Sequence, residues 1–160
     1  MNKTLLLVED TPDDVFFLQN AMQKAGIHVP MQVVADGQEA LRYLEGEGIY
    51  GDRTKYPMPS LVLLDLQLPY VPGLKVLQEI RRQTKLRKII VVVLTSSSAE
   101  SDIEQAYELG ANSYLVKPSS NEERRELVLL LQRYWLTLNR GPGLTKTDPP
   151  TLVAVPAVGL

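Results

Sequence analysis

A doubly wound α/β domain built on a five-stranded parallel sheet is the architecture this chain predicts, and three observations carry it. Short apolar runs without polar alternation recur along the sequence, as strands covered on both faces require. Each run is followed by a segment whose apolar residues recur at helical spacing. The length, 160 residues, suits one such domain with a real core and a short appendage.

The first strand is "TLLLV" (4–8), and the helix after it is "DDVFFLQNAMQKAG", with Val15, Leu18, Met22 and Ala25 at helical spacing and Gly26 to end it. Thr11 is its N-cap and Pro12 fits the first helical position, while Asp13 and Asp14 fall in the first turn, where the macrodipole favours negative charge. The second strand is "MQVVA" (31–35). The next helix, "DGQEALRYLEGEG", opens on Asp36 with Glu39 at capping-box spacing. "GEGIYGDRTKYPMPS" (46–60) is long for the connection that follows. The third strand, "LVLLD" (61–65), leads into "PGLKVLQEIRRQ", which carries Leu74, Leu77 and Ile80 on one face. After the fourth strand, "IIVVVLT" (89–95), the helix has only a thin stripe of Ile103, Ala106 and Tyr107 and should pack loosely. "SYLVK" (113–117) is the fifth strand. A last helix over roughly 120–139 starts with Ser120 and Glu123 at capping-box spacing. Gly and Pro stop it after Arg140, so the domain is read as 1–140 and residues 141–160 as a flexible tail whose "LVAV" could add a strand to a neighbouring chain.

Composition removes several function classes. A net charge of −2 with 22% charged residues argues against nucleic acid or an anionic membrane surface as partner, and the basic stretch "RRQTKLRK" (81–88) reads as a solvated helix end. With no cysteine and one histidine, His28 in the turn "GIHVP", there is no zinc cluster, no cysteine–histidine pair and no disulfide scaffold. The apolar run in "MNKTLLLVED" is too short for a signal peptide, and no segment reaches membrane-span length; a cytoplasmic protein is expected.

Glu9 and Asp10 follow the first strand, Asp65 ends the third, Thr95 the fourth and Lys117 the fifth. In a parallel sheet these ends point the same way, so three carboxylates, a hydroxyl and an ammonium converge on one edge. Three acids so close repel by a few kcal/mol per pair at an effective dielectric of ~20. A hard divalent cation relieves that repulsion, and all-oxygen ligation suits Mg2+. The four acids of "EDTPDD" therefore divide: Asp13 and Asp14 start a helix, and Glu9 and Asp10 hold a metal.

On "LLLVEDTPDD", "LVLLDLQLPYVPG", "VVVLTSS" and "GANSYLVKP", in this order and spacing over residues 3–139, the chain resembles the receiver domains of two-component response regulators. The long 46–60 connection and the ending "RYWLTLN" resemble more closely the single-domain receivers paired with phytochrome-type histidine kinases. The resemblance implies a flavodoxin-like (receiver) sheet of order 2-1-3-4-5. It implies that Asp65 accepts a phosphoryl group from a sensor histidine kinase, with Mg2+ held by Glu9, Asp10, Asp65 and the carbonyl of Gln67. Lys117 would neutralise a phosphoryl oxygen and form a cis bond with Pro118. Thr95 and Tyr114 would be the switch pair. Gln67 stands where the family often has Asn, which leaves metal ligation intact and bears on phosphoryl lifetime.

No output domain fits after residue 139, so the signal is expected to leave through a surface. In "ELVLLLQRYWLTLN" the residues Leu127, Leu130, Leu131, Tyr134 and Leu138 are read as facing the sheet. Val128, Leu129, Trp135 and Leu136 are then left for a homodimer through the last helix and the fifth strand. Two rival functions fit less well: "EDTPDD" would repel a flavin phosphate, and a phosphatase with an aspartate nucleophile would want an acid at position 67. The remaining alternative is a non-phosphorylated receiver-shaped scaffold.

Overall fold

Alternate residues of the central strands go to opposite faces, and each face meets its own helix pair. The structure, a computed structural model, describes residues 3–143. Strands β1 (Leu5–Val8), β2 (Met31–Val34), β3 (Leu61–Leu64), β4 (Val91–Thr95) and β5 (Ser113–Val116) are all parallel, in the order β2-β1-β3-β4-β5. Leu6, Val8, Val62, Leu64 and Val91 pack with helices α2 (Gly37–Glu45) and α3 (Gly73–Arg82) through Ala40, Leu44, Val76, Leu77 and Ile80. Leu5, Leu7, Leu61, Leu63, Val92 and Leu94 pack instead with α1 (Pro12–Lys24) and α5 (Asn121–Leu130) through Leu18, Ala21, Met22 and Val128. The unbroken apolar runs of the strands are thus the consequence of cover on both faces. Helix α4 (Glu100–Glu108) buries only Ala106, and β5 at the sheet edge stays partly open, in line with the thin stripe read from its sequence.

The caps are of two kinds. Asp36 accepts the Glu39 N–H at 2.8 Å and Ser120 the Glu123 N–H at 3.1 Å, as their spacing predicts. Thr11 sits at the N-cap of α1 but makes no side-chain cap bond; its N–H goes to Glu9 Oε1 at 3.0 Å. The 46–60 connection is not loose: it forms a 3-10 turn at Gly48–Gly51 and stacks Tyr50 and Tyr56 against Tyr43 of α2. Arg81, expected on a solvated helix end, instead ties the Gly110 and Ile89 carbonyls at 2.8 Å each, whereas Arg82, Lys85, Arg87 and Lys88 are exposed.

The last helix departs most from its expected form. After Leu130 the backbone continues as a π-helix over Leu131–Leu138. Its i→i+5 spacing puts Leu131 and Leu136 on the same buried side. Val128 and Leu136, assigned to a dimer interface, are core residues here, 2% and 8% exposed, and Leu129 and Trp135 are partly buried against the same core. Leu130, Tyr134 and Leu138, expected to face the sheet, are 65%, 54% and 71% exposed. Leucine occupies both sides of this helix, so apolar spacing alone cannot rank its faces. Of the expected tail, residues 144–160, with "LVAV", lie outside the described residues. No helix among the described residues is long and apolar enough to cross a membrane.

Candidate functional site

The carboxyl ends of β1, β3, β4 and β5 bring Glu9, Asp65, Thr95 and Lys117 together. Asp65 is 4% exposed, and both of its oxygens are engaged. Oδ1 accepts the Thr95 hydroxyl at 2.8 Å and the Gln67 N–H at 3.0 Å, while Oδ2 accepts from Lys117 Nζ at 2.7 Å. The chain turns sharply away after Asp65, through Tyr70 at φ +64°, into α3. Gly73 packs directly on the Asp65–Leu66 backbone, where a Cβ would collide with the Asp65 carbonyl oxygen.

Lys117 is the hub. Its ammonium reaches Glu9 Oε2 at 2.5 Å, Asp14 Oδ2 at 2.8 Å and Asp65 Oδ2 at 2.7 Å, one carboxylate for each of its donors. The bond to Pro118, expected to be cis, is trans: no cis peptide occurs among the described residues. The lysine is located instead by its backbone N–H, which donates to the Thr95 carbonyl at 2.8 Å, and by the three acids. Burial alone would lower its pKa, but the bonds to Asp14, Asp65 and Glu9 outweigh it and hold the ammonium above the ordinary lysine value. For Glu9 burial dominates: it raises the pKa against the lowering effect of the bonds from Lys117 and the Thr11 N–H.

Glu9, Asp10 and Asp65 each offer a carboxylate oxygen, and these lie within 4.8 Å of one another. The set is hard and all oxygen, Asp10 is open to solvent, and the chemistry fits a divalent cation of the Mg2+ or Mn2+ type. The acid cluster is nevertheless not left to a cation alone, because Lys117 already compensates two of the three members.

Tyr114 packs beside Leu66, Val93 and Ala106 and donates its hydroxyl to the Ser97 carbonyl at 2.9 Å. Thr95 and Tyr114 are therefore joined through the loop after β4, in which Ser97 Oγ also donates to Asp102. Asp14 is the residue that sequence reasoning missed. Its place in the first turn of α1 already had an explanation in the macrodipole, yet that turn starts at the carboxyl end of β1, which is enough to aim one of its residues at the cleft.

Parallel strands in this order, with acids, a hydroxyl and a lysine gathered at one edge, define a receiver domain. The chain belongs to the response regulator receiver domain family, whose profile matches residues 5–129. The probable methanogenesis regulatory protein FilR2 of Methanothrix harundinacea is 42% identical over 140 residues, spanning 87% of each chain. Response regulator Rcp1 of Synechocystis is 37% identical over 84% of this chain and 89% of its own. The Mn2+-bound form of Rcp1 superposes with a TM-score of 0.77 over 88% of this chain and 99% of that one. The phosphorylated cyanobacterial phytochrome response regulator RcpA superposes at 0.81, with 35% identity over 89% of this chain and 99% of that one.

Proposed function

We propose that this receiver takes a phosphoryl group onto Asp65 from the phosphohistidine of a sensor histidine kinase, of the phytochrome type. The observation that carries the reading is the convergence on Asp65: a buried carboxylate touched by a hydroxyl and an ammonium, with Glu9 and Asp10 alongside. Asp65 Oδ2 attacks phosphorus, the O–P bond forms, and the N–P bond to the histidine breaks. Lys117 then faces the phosphoryl oxygens as a point charge. A divalent cation held by Glu9, Asp10, Asp65 and the Gln67 carbonyl would supply positive charge against the same oxygens. Thr95, which now donates to Asp65 Oδ1, turns its hydroxyl to the phosphoryl group and draws the loop to Ser97 inward. Tyr114, bonded to the Ser97 carbonyl, follows that loop and passes the change to the β5 surface. The same groups assist loss of the phosphoryl group to water. The likeness to the phytochrome response regulator RcpA supports the choice of kinase type.

The site of action is the cytoplasm. Output passes through protein contacts, with neither nucleic acid nor membrane, and a homodimer through α5 and the β5 edge is one such contact. On this helix Leu130, Tyr134 and Leu138 offer the exposed apolar face. Incubation with Mg2+ and acetyl phosphate, read by intact mass, tests the reading. One added phosphoryl group in the wild type and none in Asp65→Asn is the expected result. No addition from acetyl phosphate or from any phosphorylated kinase would leave a receiver-shaped scaffold instead.

A further inference from the structure

We infer that Asp14 is a positioning residue for Lys117, holding the ammonium on the α1 side of the cleft when Glu9 and Asp65 turn to the cation and the phosphoryl group. The inference rests on the reading of Asp65 as phosphoacceptor and adds to it a residue outside the ligand set.

The three partners of Lys117 are not equivalent. Glu9 has one oxygen on the Thr11 N–H and the other on Lys117. Asp65 has one oxygen on Thr95 and Gln67 and the other on Lys117. In both, the lysine occupies one of the two oxygens a cation or a phosphorus atom could use. Asp14 stands apart from the cluster of Glu9, Asp10 and Asp65. It projects from the first turn of α1 rather than from a strand end and is 36% exposed at its side chain, against 3% for Glu9 and 4% for Asp65. Its bond to Lys117, at 2.8 Å, is no longer than the bond between two ordinary charged partners.

A lysine held only by Glu9 and Asp65 would compete with the cation for both. With Asp14 in place it keeps a charged partner while releasing either of the others, and it stays within reach of the acceptor. The ammonium is thus both the counter-charge of the resting cleft and a group that can give way. Asp14 supplies the position to which it gives way, next to the wall formed by Phe17, Pro118 and Arg124.

The test is a double-mutant cycle on the unphosphorylated full chain, with Mg2+ affinity measured by titration calorimetry. Asp14→Asn removes the charge and keeps the shape. In the wild-type background it is expected to raise the Mg2+ dissociation constant about tenfold, the size of one charge-assisted bond. In a Lys117→Gln background the same change is expected to alter it less than about twofold, the remainder being direct attraction across the cleft. Asp14→Glu should restore most of the affinity, and Asp14→Ser serves if the asparagine variant is poorly folded. A purely structural Asp14 would shift the melting temperature and leave the Mg2+ affinity unmoved. Equal fold-changes in both backgrounds, or no Mg2+ binding by the wild type, would overturn the inference. Coupling in the calorimeter without phosphoryl gain at Asp65 would sink the acceptor reading alone.

Discussion

At the carboxyl ends of the strands one ammonium is shared among Glu9, Asp14 and Asp65, whereas at the amino ends Arg53, Tyr43 and Tyr50 each have partners of their own. There the 46–60 connection folds back on α2. Arg53 donates to the Tyr43 and Leu44 carbonyls at 2.8 and 2.9 Å, Tyr43 donates to the Pro57 carbonyl at 2.8 Å, and Tyr50 donates to Glu39 at 2.6 Å. The three tyrosine rings pack with centroids 5.1 to 6.1 Å apart. Both regions leave no buried side-chain polar atom unpartnered among the described residues. They differ in what a partner can be exchanged for. In the cleft a carboxylate bonded to Lys117 could bond equally to a cation, and a hydroxyl bonded to Asp65 could bond equally to a phosphoryl oxygen. In the tyrosine region Arg53 and Tyr43 donate to backbone carbonyls, the rings pack on one another, and the Glu39 carboxylate is taken up by Tyr50 and Arg42. Exchangeable contacts serve chemistry; fixed ones hold the scaffold that aims them.

The contrast breaks most visibly at Lys117. Lys117→Gln is expected to slow phosphoryl incorporation by about a hundredfold or more, the usual loss for a group facing transferred charge. The same variant should bind Mg2+ more tightly than the wild type, because a competitor for Glu9 and Asp65 is gone. Calorimetry and incorporation rates measured on one preparation check both statements. Weaker Mg2+ binding by the variant would mean that the lysine does not compete.

Tyr43→Ala at the other end should cost about 3–5 kcal/mol of unfolding free energy in urea, as for other large buried aromatic rings. The folded fraction should still incorporate phosphoryl at the wild-type rate. A rate that falls with stability would show that the two ends are coupled.

The smallest effect is expected at Tyr50→Phe. Glu39's pKa is held below its ordinary 4.5 chiefly by the Tyr50 hydroxyl, with burial opposing and Arg42 adding. A depressed carboxylate contributes stability that is present above the unfolded value and lost as pH falls through the folded one. Removing the hydroxyl should therefore cost about 1 kcal/mol at pH 7, at the low end because Glu39 is partly exposed. The difference between the two proteins should shrink as pH drops below 4.5. A difference that is constant with pH would assign the effect to packing.

The legible parts of the sequence were those in which one physical demand acts alone. The central strands β1, β3 and β4 are apolar nearly throughout because both faces are covered, and Glu9, Asp65, Thr95 and Lys117 stand out because nothing at a strand end calls for them otherwise. Where two demands coincide, the first conceals the second. Asp14 suited a helix N-terminus, which hid its reach to Lys117 and the lysine's bonds to all three acids. In the last helix leucines on all sides hid which face is inward, and the i→i+5 segment moved Leu136 into the core. The connection 46–60 was legible as long but not as ordered, because its order comes from Tyr50 and Tyr56 meeting Tyr43, a contact across the fold.

Reduction of the phosphorylated protein with borohydride, followed by peptide mapping, bears most directly on the acceptor. An acyl phosphate on the Asp65 carboxyl is reduced to homoserine, so the peptide spanning residue 65 should lose its aspartate and gain homoserine only after treatment with Mg2+ and acetyl phosphate. Homoserine at Asp10 or Asp14 instead, or phosphate retained on a hydroxyl such as Thr95, would contradict the account.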